Sequence, residues 1–201
     1  MTLTLTDEQQ DFVAAVRDFA QREAGTREQR DKLTNNFAEP HNVELYKKVA
    51  ELGWLGVGIS EEYGGSGGGA VDICLFLEEM FYGQLPLGGY PVTMITAGAY
   101  ERFGTDEQKQ DILGGVVNGN VEAIAMSEPE AGSDVGSLRC KAVRENGHYV
   151  IEGQKTWISA AHLADHILLI CRTDSSGSKH EGLTMLEIPT DADGLEIRQI
   201  E

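Results

Sequence analysis

The spacing of the apolar residues changes near Val121. Upstream they recur at helical intervals, as Phe12, Val16 and Phe19 do. Downstream they occur in short runs typical of strands, such as the apolar run between His166 and Arg172. Helices first and strands second predict an α+β fold. We expect an N-terminal all-α helical domain over residues 1–120 and a small antiparallel β-barrel-like domain over residues 121–201.

Several local signals fix where individual elements begin or turn. Thr6 with Gln9, and Thr105 with Gln108, have the spacing of a capping box at a helix N-terminus. The segment Glu145-Asn146-Gly147 lies between two short strand candidates and predicts a tight hairpin. These positions therefore predict two helix starts and one antiparallel strand pair.

The residue patterns of three further segments each predict one element of the fold. The segment 71–82 is apolar on nearly all sides and predicts a central, buried helix. The segment 54–63 is short and rich in glycine, which favours an extended connector. Residues 195–198 alternate between apolar and charged side chains, which is typical of a half-buried strand.

Charge and composition exclude some classes of partner. The net charge of −17 argues against binding to nucleic acid or to an anionic membrane surface, since both require clustered cations. The sequence shows neither a signal peptide nor an apolar run long enough to cross a membrane, so no membrane insertion is expected. Cys74, Cys140 and Cys171 are predicted to be reduced core thiols, and we expect a cytoplasmic protein.

The segment 125–134 carries the clearest chemical signal. It follows a short apolar run and turns at a Glu-Pro step, because proline restricts its own φ and the backbone of the residue before it. Hydroxyls at Ser127 and Ser133, with Gly132 between them, suit a ring with a polar edge and a phosphate tail. The competing interpretation is an ordinary turn between a strand and a loop.

Four segments, taken in their order along the chain, favour a ligand-binding role for the segment 125–134 over an ordinary turn. Ser127-Glu128-Pro129 with Ala131-Gly132-Ser133-Asp134 resembles the flavin-binding signature of the acyl-CoA dehydrogenase family. The segment from Gly153 to Ser159, which reads GQKTWIS, resembles the family's next motif. Two upstream segments, 53–65 and 103–109, resemble further family motifs. The resemblance covers nearly the whole chain, whereas a typical member of the family is about twice as long.

The resemblance implies FAD as the cofactor, bound mainly by the second domain. Ser127 would donate a hydrogen bond to the edge of the ring, Trp157 would pack against it, and Ser159 would lie near its reactive nitrogen. Ser133 would lie near a phosphate or the CoA arm of the substrate. The cofactor contacts implied in this way are Ile124, Ala125, Met126, Ser127, Gly132, Ser133, Trp157, Ile158 and Ser159.

The family's reaction is the α,β-dehydrogenation of an acyl-CoA thioester, in which a glutamate removes a proton and a hydride passes to FAD. Members of the family carry that glutamate in a C-terminal helical domain, and no residue of this chain matches it. We therefore expect a truncated chain that is inactive alone, with no catalytic residue to nominate. Implied partners are an acyl-CoA, an electron-transfer flavoprotein or similar acceptor, and other subunits in a homo- or hetero-oligomer of the full-length protein.

Three other features of the sequence are not assigned to a functional site. The glycine-rich segment 64–69 has no βαβ context and predicts a flexible turn. His162 and His166 lack a third ligand nearby, so no metal site is expected. Lys155 is interpreted as a solvated charge at a strand end.

Two other functions stay open. The chain could be a non-catalytic module that keeps the fold, while a partner chain, or nothing, provides the base. It could also belong to a related flavoprotein that acts on another thioester or on a nitroalkane.

Overall fold

The computed structural model describes residues 4–200, and the chain within it divides into two compact units. One unit ends at Pro91 and resumes over Ala99–Asn120, and the other consists of Val92–Gly98 together with the chain from Val121 onward. The helices are α1 (Asp7–Ala24), α2 (Arg27–Leu33), α3 (Val43–Glu51), α4 (Ala70–Tyr82), α5 (Tyr90–Phe103) and α6 (Asp106–Val117). The strands are β1 (Glu122–Ala125), β2 (Lys141–Glu145), β3 (His148–Glu152), β4 (His166–Arg172) and β5 (Leu183–Pro189). The predicted α+β class is confirmed.

Both predicted capping boxes are present, at Thr6 before α1 and at Thr105 before α6. The structure adds one at Thr26, where the side chain accepts the amide of Gln29 and starts the short helix α2. The segment 54–63 is not extended. It forms two short 3₁₀ turns, at Trp54–Gly56 and Glu61–Tyr63.

An aromatic cluster fills the core of the helical unit. Phe76 of α4 packs edge-on against Tyr90, with ring centroids 5.0 Å apart. Trp54 lies 5.4 Å from Phe19 of α1 in the same cluster. The prediction that α4 is buried all round was wrong: Phe76, Glu79 and Met80 are its buried residues, while Phe81 is 58% exposed. The cluster explains the difference, because α4 turns a single face towards α1 and the aromatic core.

The five strands of the second unit form one mixed sheet. β4 pairs antiparallel with β5 along its whole length, but β1 runs parallel to β4, and β2 meets β4 in parallel at Lys141 and Arg172. The sheet therefore differs from the wholly antiparallel one expected, and no pairing among the described strands closes it into a barrel. Parallel pairing requires a long crossover, which the segment 126–165 provides between β1 and β4.

The hairpin of β2 and β3 is confirmed. Its turn residues Asn146 and Gly147 have φ of 50° and 87°, the left-handed values of the turn that suits a two-residue hairpin. The strand expected over 195–198 is not formed, and these residues lie outside the regular elements. No helix among residues 4–200 combines the length and the apolar character that crossing a membrane would require.

Candidate functional site

The end of β1 positions the first candidate segment. β1 lies parallel to β4 as far as Ala125, opposite Leu169, and the chain then leaves the sheet. Glu128 and Ala131 exchange two backbone hydrogen bonds, of 2.8 and 3.2 Å, so the chain reverses over Pro129 and Glu130. The next residues, Gly132 and Ser133, are therefore displayed on the surface, and a side chain added at Gly132 would meet no atom within 4 Å.

Two of the candidate side chains contribute to the core. Ile124 and Met126 pack against a buried cluster of Ala131, Leu138 and Ile170. Ala125, between them, is itself buried. Ile124 and Met126 therefore remain only partly exposed.

The second candidate segment carries an unusual backbone conformation. Trp157 has φ of 61° and Ala160 has φ of 60°, in the left-handed region that residues other than glycine rarely adopt. Such a conformation costs about 1–3 kcal/mol and persists only where its surroundings hold it in place. The Trp157 side chain is nevertheless 74% exposed, so burial does not repay that cost. Strain combined with an exposed aromatic face is typical of a ligand contact.

The fold brings these two segments together although they are distant in sequence. The amide of Thr156 donates a hydrogen bond to the carbonyl oxygen of Ser127 at 2.9 Å. Within residues 4–200, no protein group hydrogen-bonds to the Ser127 hydroxyl, so the hydroxyl is available to a ligand. Ser159 follows on the surface, with Ile158 partly buried beside it. Ser127 and the segment 156–159 thus form one continuous surface of the second unit.

A buried ion pair lies beneath this surface. The ammonium group of Lys155 donates to the carbonyl oxygen of Met126 and to Oε1 of Glu128, both at 2.9 Å. The side chains of Lys155 and Glu128 are only 9% and 6% exposed. The interpretation of Lys155 as a solvated charge was therefore wrong. The sequence around Lys155, two residues before Trp157, did not indicate that other segments would bury its side chain.

Glu128 is held by more than Lys155. Its carboxylate also accepts the amides of Arg139, at 2.6 Å, and Cys140, at 2.9 Å. Burial by itself raises the pKa of Glu128, but the hydrogen bonds from Arg139, Lys155 and Cys140 outweigh burial and leave the pKa below its ordinary value. An ionised carboxylate with its oxygens occupied in this way is unsuited to taking a proton from a substrate.

The loop after Ser133 is attached to a second loop of the same unit. Asp134 pairs with Lys179 at 3.0 Å, and the guanidinium of Arg172 donates to the carbonyl oxygen of Gly136 at 2.8 Å. The hydrogen bond from the Ser137 hydroxyl, followed by that from Lys179, lowers the pKa of Asp134. These contacts fix the path of the chain just beyond the candidate phosphate contact.

Both units match models of known protein domains. Residues 6–120 match the family model described as acyl-CoA dehydrogenase, N-terminal domain, and residues 123–201 match the middle domain of the same family. The chain belongs to the acyl-CoA dehydrogenase family. This agrees with the resemblance carried by the segments around Ser127 and Trp157.

Curated acyl-CoA dehydrogenases match over nearly the whole chain. Acyl-CoA dehydrogenase FadE29 of Mycobacterium tuberculosis is 34% identical over 192 residues, which are 94% of this chain and 49% of that protein. The mitochondrial isovaleryl-CoA dehydrogenase of Solanum tuberosum is 36% identical, over 98% of this chain and 48% of that protein. The chain thus spans about half the length of the curated relatives it matches.

Solved structures of the family superpose on the chain. An acyl-CoA dehydrogenase from Geobacillus kaustophilus is 30% identical with a TM-score of 0.85, covering 96% of this chain and 51% of that one. A glutaryl-CoA dehydrogenase from Mycobacterium smegmatis in complex with FADH2 is 27% identical with a TM-score of 0.82, covering 98% of this chain and 49% of that one. The ChsE4–ChsE5 complex of Mycobacterium tuberculosis is 33% identical with a TM-score of 0.81, covering 96% of this chain and 50% of that one.

Proposed function

We propose that the second unit of this chain binds FAD and that the protein serves the α,β-dehydrogenation of an acyl-CoA thioester. The observation that carries the proposal is the hydrogen bond from Thr156 to Ser127, which joins the two candidate segments into one surface. The relative from Mycobacterium smegmatis, whose structure holds FADH2, supports the choice of cofactor.

The residues present fit a flavin. Trp157 offers an exposed aromatic face that is held in a strained conformation without being buried. Ser127 offers a hydroxyl beside it, and Gly132 leaves the backbone open to close approach. Bound FAD supplies the acceptor for the hydride that leaves the substrate.

Each residue has a distinct proposed task. Ser127 and Ser159 donate hydrogen bonds that favour negative charge on the ring. Trp157 packs against the ring and excludes water. Gly132 and Ser133 receive a phosphate or the CoA arm. Ile124, Ala125, Met126 and Ile158 contribute backbone and apolar support.

The proton-abstracting base is proposed to lie outside the segment 125–134. Glu128 is bound to Lys155 and to two backbone amides, so it does not serve as the base. We therefore expect this chain of 201 residues to bind flavin without turning over acyl-CoA by itself. We further propose that an electron-transfer flavoprotein or a similar acceptor takes up the electrons. The protein is also proposed to assemble with further subunits. The similarity to the ChsE4–ChsE5 complex supports the assembly.

Flavin binding gives a direct test. We expect the purified chain to bind FAD, measured by quenching of flavin fluorescence in a titration, and Trp157→Ala to weaken that binding. Tyr149→Ala is the matched control, since it removes an aromatic side chain that is also exposed in the same unit. Equal weakening by both variants, or no saturable binding by the wild type, would contradict the proposal.

A further inference from the structure

The ion pair of Lys155 and Glu128 joins three stretches of the second unit. Lys155 reaches the carbonyl oxygen of Met126 at the exit of β1, and Glu128 reaches the amides of Arg139 and Cys140 just before β2. Lys155 itself is the residue before Thr156, whose amide binds Ser127. One buried pair thus ties together both candidate flavin segments and the start of the hairpin.

Stability alone gives little reason for such a pair. Moving two charges out of water is costly, and replacing a buried ion pair with apolar side chains of similar size is often neutral or stabilising. A buried pair that also satisfies backbone groups does provide a fixed geometry, because each of its hydrogen bonds is lost if the segments move apart. This pair makes three contacts with backbone groups in addition to the link between its own charges.

The strain at Trp157 identifies what is being positioned. A left-handed tryptophan persists only where the surrounding structure holds it in place, and the chain is anchored on both sides of Trp157. On its N-terminal side Lys155 and Thr156 are tied to Met126 and Ser127. On its C-terminal side the amide of Leu163 donates to the carbonyl oxygen of Ala160 at 2.9 Å, within a turn.

We propose that Lys155 and Glu128 are positioning residues that set the separation of Ser127 from Trp157 for the flavin. This inference rests on the proposed flavin site. Neither side chain is required to touch the cofactor. Their effect passes through the backbone of Met126 and Thr156.

Two substitutions separate positioning from simple stabilisation. Lys155→Met leaves the charge of Glu128 buried without its cation, so it weakens both stability and flavin affinity. The double variant Lys155→Met with Glu128→Leu removes both charges and recovers much of the stability against urea. It does not restore the contacts with Met126, Arg139 and Cys140. If the pair positions the site, the double variant still binds FAD at least about tenfold more weakly, a loss typical of removing the support behind ligand-contacting groups.

Lys141→Met is the matched control. Lys141 pairs with Glu152 at 2.8 Å in the same unit, but both side chains are exposed, at 57% and 76%. Its flavin affinity is expected to equal that of the wild type. A double variant that matches this control in affinity would overturn the proposal. If either variant containing Lys155→Met fails to fold, Glu128→Gln is used instead. Its amide group has a single accepting oxygen, so the hydrogen bond from Arg139 or that from Cys140 is lost. Its flavin affinity is then expected to fall below that of Lys141→Met, and equal affinity would overturn the proposal.

Hydrogen exchange of the Thr156 amide distinguishes failure of this inference from failure of the flavin site. The measurement is made on the protein without flavin. The positioning role predicts faster exchange at Thr156 in the double variant than in Lys141→Met, at equal global stability in urea. Unchanged exchange overturns the positioning role even if the wild type binds FAD. Faster exchange in a protein that binds no flavin would show that the pair holds the two segments together while the proposed flavin site itself fails.

Discussion

The amide of Thr156 donates to the carbonyl oxygen of Ser127 across 2.9 Å, and this bond does not involve the hydroxyl of the partly exposed Ser127. The backbone of Ser127 thus serves the fold while its side chain is reserved for a ligand. Because the two roles of Ser127 use different atoms, a substitution of the side chain can test the ligand role without disturbing the structural one.

Ser127→Ala is expected to leave folding stability within about 0.5 kcal/mol of the wild type, because no protein hydrogen bond of the described chain is lost. Flavin affinity should fall by about 1 kcal/mol, the usual worth of one neutral hydrogen bond. Urea unfolding and a flavin titration measure the two quantities. Ser175→Ala, in an exposed loop of the same unit, is the control. A large loss of stability in Ser127→Ala would show that the hydroxyl has a structural task.

The conformation of Trp157 predicts that one substitution will have opposite effects on folding stability and on flavin affinity. Glycine adopts φ of 61° without penalty, so Trp157→Gly should relieve strain and keep or raise the unfolding free energy of the flavin-free protein by about 1 kcal/mol. The same variant should lose most of its flavin affinity because the aromatic face is gone.

Trp157→Phe is the companion variant for this test, since it keeps an aromatic ring and the strained backbone. It should bind flavin better than Trp157→Gly while being no more stable. Thermal unfolding without flavin and equilibrium titration with flavin provide the comparison. A less stable Trp157→Gly protein would mean that the indole contributes packing that its exposure conceals.

Much of the fold could be predicted from local sequence, whereas the buried ion pair of Lys155 and Glu128 could not. Asn146-Gly147 and the capping threonines act within a few residues, so their signals survive in the sequence alone. Lys155 is buried because the exit of β1, the turn that follows it and the entry to β2 meet over it. Met126, whose carbonyl oxygen Lys155 contacts, lies 29 residues away in the chain. Residue type gives no hint of that meeting.

The sheet shows the same limit. Alternation and apolar runs located β4 and the hairpin, but the parallel pairing of β1 with β4 depends on the path of the long crossover. Spacing within a strand does not encode the direction of its neighbour. The positions of Ser127 and Trp157 in their motifs could be predicted from the resemblance. Their junction through Thr156 required the structure.

Glu128 gives the protein a component of acid sensitivity. Its pKa is lower in the folded protein than the ordinary 4.5 of the unfolded chain. The ionised group therefore contributes its full stabilisation above pH 4.5, and this contribution is lost as pH falls below that value towards the folded pKa. Glu128→Gln should flatten the fall in unfolding free energy over this range, measured by urea unfolding at several pH values.

Glu152→Gln is the control for the acid-sensitivity test. The hydrogen bond from Lys141 lowers the pKa of Glu152 too, but the pair is exposed on the hairpin, where solvent screens it. Glu152→Gln should change the slope of unfolding free energy against pH less than Glu128→Gln does. Equal slopes for the wild type and Glu128→Gln would show that the buried carboxylate is not ionised in the way its hydrogen bonds indicate.

The cysteines should differ sharply in reactivity, contrary to the expectation of three core thiols. Cys74 lies exposed on α4, whereas Cys140 and Cys171 are buried in the second unit. Burial raises the pKa of Cys140 and raises that of Cys171 to about 11, so both remain protonated and unreactive at neutral pH. Iodoacetamide should therefore modify the native protein quickly at Cys74 alone, as read by peptide mass. Cys74→Ser should remove the fast phase, and rapid labelling at Cys171 in that variant would show that β4 opens far more readily than its burial indicates.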